Sequence, residues 1–444
     1  MTTANAPDDE LREFMAFLDA SPTPYHAARN VAERLDAAGF ARLDEREAFS
    51  GGPGSRAYLR KGGTLLAFVA GTEAPWDSGF IALGAHTDSP NLRLKPNPDL
   101  SGHGYRQIAV EVYGGVLLTT WLDRDLGLAG RVALSGGRTE LLQLPGPLCR
   151  IPNLAIHLNR EVNKEGLLVN PQTQLAPIWG LERSAGSAFL LELIAAGLAN
   201  TPSAGATPAD IVGFDLCLYD TEKAVLSGAQ SELLASARLD NLGSCYPILR
   251  ALLGAGDAGR CTRLIALHDH EEVGSQSSSG ARSRLLETVI ERIVGLYEHP
   301  PADAVARSIA RSSFVSSDMA HAVHPNYPDK HDRQHRPQLG GGPVIKVNAS
   351  QAYATDAITQ GAFVDACRAE SVAPQYFVSR NDQACGSTIG PITAARLGVR
   401  TIDVGNPMLG MHSCRETAGS ADSALIRRVF ERLLREPPAT DPAY

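Results

Sequence analysis

Apolar positions along the chain follow two periods. Over residues 9–19 they recur three and four apart, with Leu11, Phe14, Met15 and Leu18 on one face, which predicts an amphipathic helix. Ser21-Pro22-Thr23-Pro24 interrupts that pattern, and residues 26–38 predict a second helix closed by Gly39. Short, mostly apolar runs follow at 64–70, 80–85, 264–267, 313–316 and 401–404, each bounded by Gly, Ser or Asp. Such runs predict strands buried on both faces. Helical patterns lie between them, at 187–198 and 285–297, and a last one runs over 424–434. The order predicts an α/β fold, a mostly parallel sheet flanked by helices.

From 97 to 231 the pattern changes. Gly114-Gly115, Gly136-Gly137 and Pro145-Gly146-Pro147 punctuate short β-like runs. This predicts a β-rich domain, 97–231, inserted into an α/β domain made of 1–96 and 232–444.

Composition narrows the class. At 444 residues, 43% hydrophobic and 20% charged, the chain can bury large cores without staples. Lys and Arg total 41 against 49 Asp and Glu, a net charge of −8, which disfavours nucleic acid as a partner. No apolar run reaches the roughly 18–20 residues of a membrane span. Residues 1–10 show no basic stretch leading into an apolar one, so no secretory leader is expected. Seven Cys at scattered positions, without a C-x-x-C pair, suit reduced thiols and a cytoplasmic protein.

Functional groups in open α/β sheets collect past the carboxyl ends of strands. The 80–85 run leads into His86-Thr87-Asp88, either a metal ligand with its orienting carboxylate or a polar turn. The 264–267 run leads into His268-Asp269-His270-Glu271-Glu272, in which one Glu can bind metal while the other holds a water; a solvated charged loop is the plainer alternative. His268 and His270 are further possible ligands. Asp318 follows the 313–316 run and is a ligand or a helix cap; Asp240 opens a helical pattern and is at least a cap; His412 sits in a Gly/Met/Ser loop. Together, two His and three carboxylates make the ligand set of a two-metal site. Imidazole with carboxylate favours Zn²⁺, with Mn²⁺ or Co²⁺ as replacements.

Two rival chemistries are weaker. Gly254-Ala255-Gly256-Asp257-Ala258-Gly259 has the dinucleotide glycine spacing, but it follows a helical run and precedes a β-like one, the reverse of the required order. It reads as a helix-stopping loop. Cys245, Cys385 and Cys414 lack a supporting triad pattern.

The runs GAHTDSPNLRLKP (84–96), IPNLAIHLNREVN (151–163), ARLDNL (237–242), HEEVGSQS (270–277), SSDMAHAVHPNY (316–327), GPVIKVNASQAYATD (342–356), NDQACGSTIGP (381–391) and MHSCRE (411–416) closely resemble, in order, the aspartyl aminopeptidase family of co-catalytic dizinc metallopeptidases. The resemblance covers nearly the whole chain; Ala237 and His270 stand where Pro and Asn look commoner. It implies that Asp240 bridges two zinc ions, with His86 and Asp318 on one and Glu272 and His412 on the other. It implies that Asp88 orients His86 and that Glu271 is the general base. It places Lys346 and His321 in the pocket for an acidic substrate side chain, and His157 at a neighbouring subunit's active site. The expected activity is removal of an N-terminal Asp, less so Glu, from peptides, in a tetrahedral dodecamer built from dimers through the inserted domain. The alternatives are a dizinc aminopeptidase of broader or neutral specificity, a dizinc deacylase, and a non-catalytic assembly protein; the last is opposed by the presence of Glu271 and every ligand.

Overall fold

In the computed structural model, residues 8–182 and 190–436 are described. The chain's largest sheet has nine strands, in the order Ala41–Leu43, Arg56–Lys61, Thr64–Val69, Thr262–His268, Phe80–His86, Ser313–Ser317, Arg400–Gly405, Val344–Val347, Gln375–Val378. The four central strands, from Thr262–His268 to Arg400–Gly405, run parallel. Antiparallel pairings lie to either side, Thr64–Val69 on one and Val344–Val347 on the other. The α/β expectation therefore holds, with a parallel centre and mixed flanks.

Side-chain alternation explains why the expected strands at 64–70 and 80–85 are apolar at nearly every position. In Thr64–Val69, Leu65, Ala67 and Val69 enter one core while Leu66 and Phe68 enter the core on the opposite face. Phe80–His86 does the same, with Ile81, Leu83 and Ala85 against Phe80 and Ala82. Helices Asp9–Ala20, Pro24–Ala37, Leu239–Gly254 and Asp422–Arg435 supply the first core, and Leu285–Val294 the second. Each fully buried Leu or Phe contributes about 1.5–3 kcal/mol.

Helix boundaries follow local chemistry. Asp8 caps the first helix, its Oδ1 accepting the Leu11 N–H at 2.7 Å. The second helix begins two residues before its expected start, because Pro24 occupies the first helical position behind the Thr23 cap. Gly254 ends a helix and the following loop leads into Thr262–His268, in line with the helix-stopping reading. Of the expected 187–198 helix, Leu190–Gly197 is helical and 187–189 lie outside the described residues, as do residues 1–7.

A second sheet is antiparallel throughout, in the order Arg138–Gln143, Leu126–Leu134, Ile211–Asp220, Asn91–Gly102, Tyr105–Tyr113, Ile178–Leu181. Gly136 and Gly137, at φ +81° and +78°, make the tight hairpin between its first two strands. Leu92, Ile108, Leu128, Val132, Leu216 and Leu218 form its separate core. The expected junction at residue 97 falls inside the continuous strand Asn91–Gly102, so the new sheet starts earlier, just past Pro90. Pro96 and Pro98 within that strand hid it from the sequence pattern. A third, five-stranded sheet joins Val225–Ser227 and Leu233–Ser236 to Glu416–Gly419, Pro407–Leu409 and Ala320–His321. Among the described residues no helix is long and apolar enough to cross a membrane.

Candidate metal centre

The parallel strands deliver their last residues to one edge. His86 ends Phe80–His86, and Asp318 follows the neighbouring strand Ser313–Ser317. His86 is buried, with Nε2 3.5 Å from Asp240 Oδ1, 3.7 Å from Asp318 Oδ1 and 4.0 Å from Glu271 Oε2. The other oxygen of Asp240, Oδ2, lies 3.3 Å from His412 Nε2, which is also 3.3 Å from Glu272 Oε1. Asp240 thus stands between two pairs of side chains, His86 with Asp318 and His412 with Glu272. Asp318 does not cap a helix; the chain passes from it into the short strand Ala320–His321. The first turn around Asp240 and Asn241 is non-helical, which turns the Asp240 carboxylate to the imidazoles.

Asp240, Glu271, Glu272 and Asp318 converge, and among the described residues the cation against them is Lys346, whose buried Nζ is 3.9 Å from Asp318 Oδ1. Electrostatics records the strain. Burial pushes Glu271 up to about 8, Asp318 and Glu272 adding to it, and burial pushes Glu272 up to about 7, helped by Asp240. Burial opposes charge on His412, yet Asp240 and Glu272 outweigh it and raise the imidazole to about 11. His86 is likewise raised above its ordinary value, against burial, by Asp240, Asp318 and Asp88.

A cation suits this arrangement. Asp240 Oδ1 and Glu272 Oε1 are buried and accept no hydrogen bond, an expensive state for carboxylate oxygens. One ligand atom each from His86, Asp240 and Glu272 lie within 4.8 Å of one another. Both imidazoles turn Nε2 inward and have an acceptor at Nδ1, the Asp88 carbonyl at 3.0 Å for His86 and the Gly115 carbonyl at 2.9 Å for His412.

Asp88 is wholly buried and collects several donors: the N–H groups of Glu271 at 3.0 Å and Glu272 at 3.1 Å, and the Tyr113 hydroxyl at 2.7 Å. One carboxylate so fixes the turn carrying both glutamates. Glu416 does the same on the other side, accepting the N–H of Asp240 at 3.0 Å and of His412 at 2.8 Å. Glu416 carries little signal in the sequence beyond being an acid four residues after His412 within MHSCRE.

The cluster opens into a cavity of about 330 Å³ whose walls include Lys346, Tyr353, Phe377 and His321. The His321 ring meets Phe377 edge-on at 5.6 Å. His268 and His270, the further possible ligands, stay out of the cluster. His268 is buried in the sheet, where burial lowers it to about 4, and His270 Nδ1 lies 2.9 Å from the Ser277 hydroxyl. His157 sits in the exposed turn Ile156–Leu158 of the inserted region and does not line the cavity.

The pattern of the aminopeptidase I zinc metalloprotease (M18) family matches residues 17–433. The chain belongs to this family and is a zinc-dependent aminopeptidase. It is 48% identical over 428 residues to a probable M18 family aminopeptidase 2 of Pseudomonas putida, covering 94% of this chain and 96% of that one. It superposes on a chain of the Ape4 and Nbr1 complex with a TM-score of 0.93 at 38% identity, covering 98% of this chain and 88% of that one. The mApe1 dodecamer of S. cerevisiae matches with a TM-score of 0.83 at 29% identity, covering 96% of this chain and 97% of that one.

Proposed function

We propose that the enzyme removes an acidic first residue, Asp before Glu, from peptides, using two Zn²⁺ per subunit bridged by Asp240. His86 and Asp318 would hold one ion, Glu272 and His412 the other, with Mn²⁺ or Co²⁺ as replacements. The observation that carries the acidic preference is Lys346: the residue is 3% exposed, and its ammonium is 3.9 Å from Asp318 Oδ1 and 5.5 Å from the centre of the Tyr353 ring, in the wall of the reaction cavity. A buried ammonium at that place favours a substrate carboxylate, whereas the protein's net charge of −8 does not attract one. His321 shapes the same wall.

When bound, the zinc pair polarises the scissile carbonyl and makes water a nucleophile near neutral pH. Glu271 takes the water's proton and delivers it to the leaving amine. Its backbone is held by Asp88, so its carboxylate keeps one position relative to His86. Asp88 also keeps the His86 proton on Nδ1.

The inserted sheet is proposed as the dimer-forming region of a tetrahedral dodecamer, with His157 reaching a neighbour's site. Support comes from Leu154, Leu158 and Leu168, which are exposed around it at 61%, 74% and 93%, and from the dodecameric relative. The free thiols support a cytoplasmic setting. The test is hydrolysis of peptides beginning with Asp, Glu or Ala, with zinc counted on the same sample. Preference for Asp and two ions per chain are expected; equal rates on Ala-peptides overturn the acidic reading.

A further inference from the structure

We infer that Tyr113-Gly114-Gly115, at the end of the inserted strand Tyr105–Tyr113, is the positioning element for both imidazoles of the metal centre. The inference rests on the reading of His86 and His412 as ligands. Each of the three residues meets a different part of the centre. The Tyr113 hydroxyl donates to Asp88 Oδ2 at 2.7 Å, and Asp88 faces His86 Nδ1 through its carbonyl at 3.0 Å and its Oδ1 at 3.5 Å. The Gly115 carbonyl accepts from His412 Nδ1 at 2.9 Å. Gly114 passes between them against Glu272.

The chemistry asks for such a device. An imidazole that binds a cation through Nε2 must carry its proton on Nδ1, and the acceptor at Nδ1 sets both tautomer and ring plane. For His412 the acceptor is a backbone carbonyl of this segment; for His86 it is a residue whose carboxylate this segment anchors. The same carboxylate holds the N–H groups of Glu271 and Glu272, so the Tyr113 hydroxyl bears on three proposed roles at once.

Tyr113 is itself well fixed. It is buried, its ring lies 6.5 Å from the His270 ring, and the Arg93 guanidinium sits 3.8 Å from its centre. Arg93 belongs to the adjacent strand Asn91–Gly102, so the support is internal to the inserted sheet. The two glycines are needed for the close approach. Gly114 has φ +75°, and a Cβ there would stand 3.1 Å from the Glu272 Cβ. A Cβ on Gly115 would stand 3.2 Å from His412 Nδ1 and force the ring to give.

The test compares the full-length zinc enzyme with Tyr113→Phe, Gly115→Ala and, as control, Tyr219→Phe. Tyr219 is a buried tyrosine of the same sheet whose hydroxyl meets Gln143 and Leu144. Zinc affinity is read by competition with a chelator, and kcat and KM are read separately. Tyr113→Phe and Gly115→Ala are expected to weaken zinc retention by about 10- to 100-fold and to lower kcat with KM little changed. Tyr219→Phe should leave both readouts at the parent level. Parent-level zinc affinity and kcat in both variants would overturn the inference, and so would an equal loss in Tyr219→Phe. If Tyr113→Phe does not fold, Gly115→Ala decides alone. The underlying reading is tested apart, by His86→Ala and His412→Ala. Full zinc content in those two sinks the ligand assignment, whereas loss there with Tyr113→Phe and Gly115→Ala both at the parent level sinks only the positioning role.

Discussion

The nine-stranded sheet and the six-stranded inserted sheet draw on the same apolar residue types but put them to different use. The central sheet buries both faces, and its parallel strands end together, so His86 and Asp318 emerge side by side. The inserted sheet runs antiparallel over one core of its own, and its strand ends point both ways. Parallel pairing gathers chemistry at one edge. Antiparallel pairing spreads the ends, leaving the inserted sheet to support and, as proposed, to associate.

If chemistry belongs to the central sheet alone, its loss can be total while the other sheet stands intact. Glu271→Gln should keep both metals and the fold yet lower kcat on the order of 10²–10⁴-fold, measured by steady-state turnover beside metal content. Retained turnover would move the general base elsewhere. Next in size is stability. Phe314→Ala in the central sheet should cost about 3–5 kcal/mol and Leu218→Ala in the inserted sheet about 2–5 kcal/mol, read from urea midpoints. A separate early transition in Leu218→Ala alone would show that the inserted sheet unfolds by itself.

Specificity comes third. Lys346→Ala should lower kcat/KM on Asp- and Glu-peptides about ten- to a hundredfold more than on Ala-peptides. An equal loss on both removes Lys346 from substrate selection. The fourth concerns protons. His412, raised to about 11, is charged at neutral pH before a cation arrives and must be neutral afterwards. Zinc binding near pH 7 should therefore release protons, and apparent affinity should rise with pH; calorimetry in buffers of different ionisation heat checks it. The smallest effect is at the surface. Leu168→Asp, at a 93% exposed position, should leave stability within about 0.5 kcal/mol while shifting sedimentation toward smaller species. Unchanged sedimentation would take that face out of the assembly.

Much of the central sheet was legible because a strand buried on both faces is apolar at nearly every position, as 64–70 and 80–85 are. The ends of those strands pointed to His86, Glu272 and Asp318, although each alone also suited a polar turn. Asp240 and His412 were less legible, since neither stands directly at the end of a strand of that sheet; they joined the set through the sum of two His and three carboxylates, and the family motifs gave them their roles. Glu416 and Tyr113 were missed. Their roles lie in hydrogen bonds to residues far away in the chain, and neither spacing nor composition carries such information. Asn91–Gly102 was missed because its two prolines break the period. His268 and His270 show the opposite failure: the right residue types at a strand end, one absorbed by the core and one by a serine.

Asp240 presents one oxygen to each imidazole, so neither half of the centre owns its full complement of negative charge. A cation held by one half would withdraw electron density from the carboxylate group that both halves share. Loading with zinc is therefore expected to be two linked steps rather than two independent ones. If two ions bind as proposed, a preparation carrying a single ion per chain is expected to be a distinct species rather than half of an active enzyme.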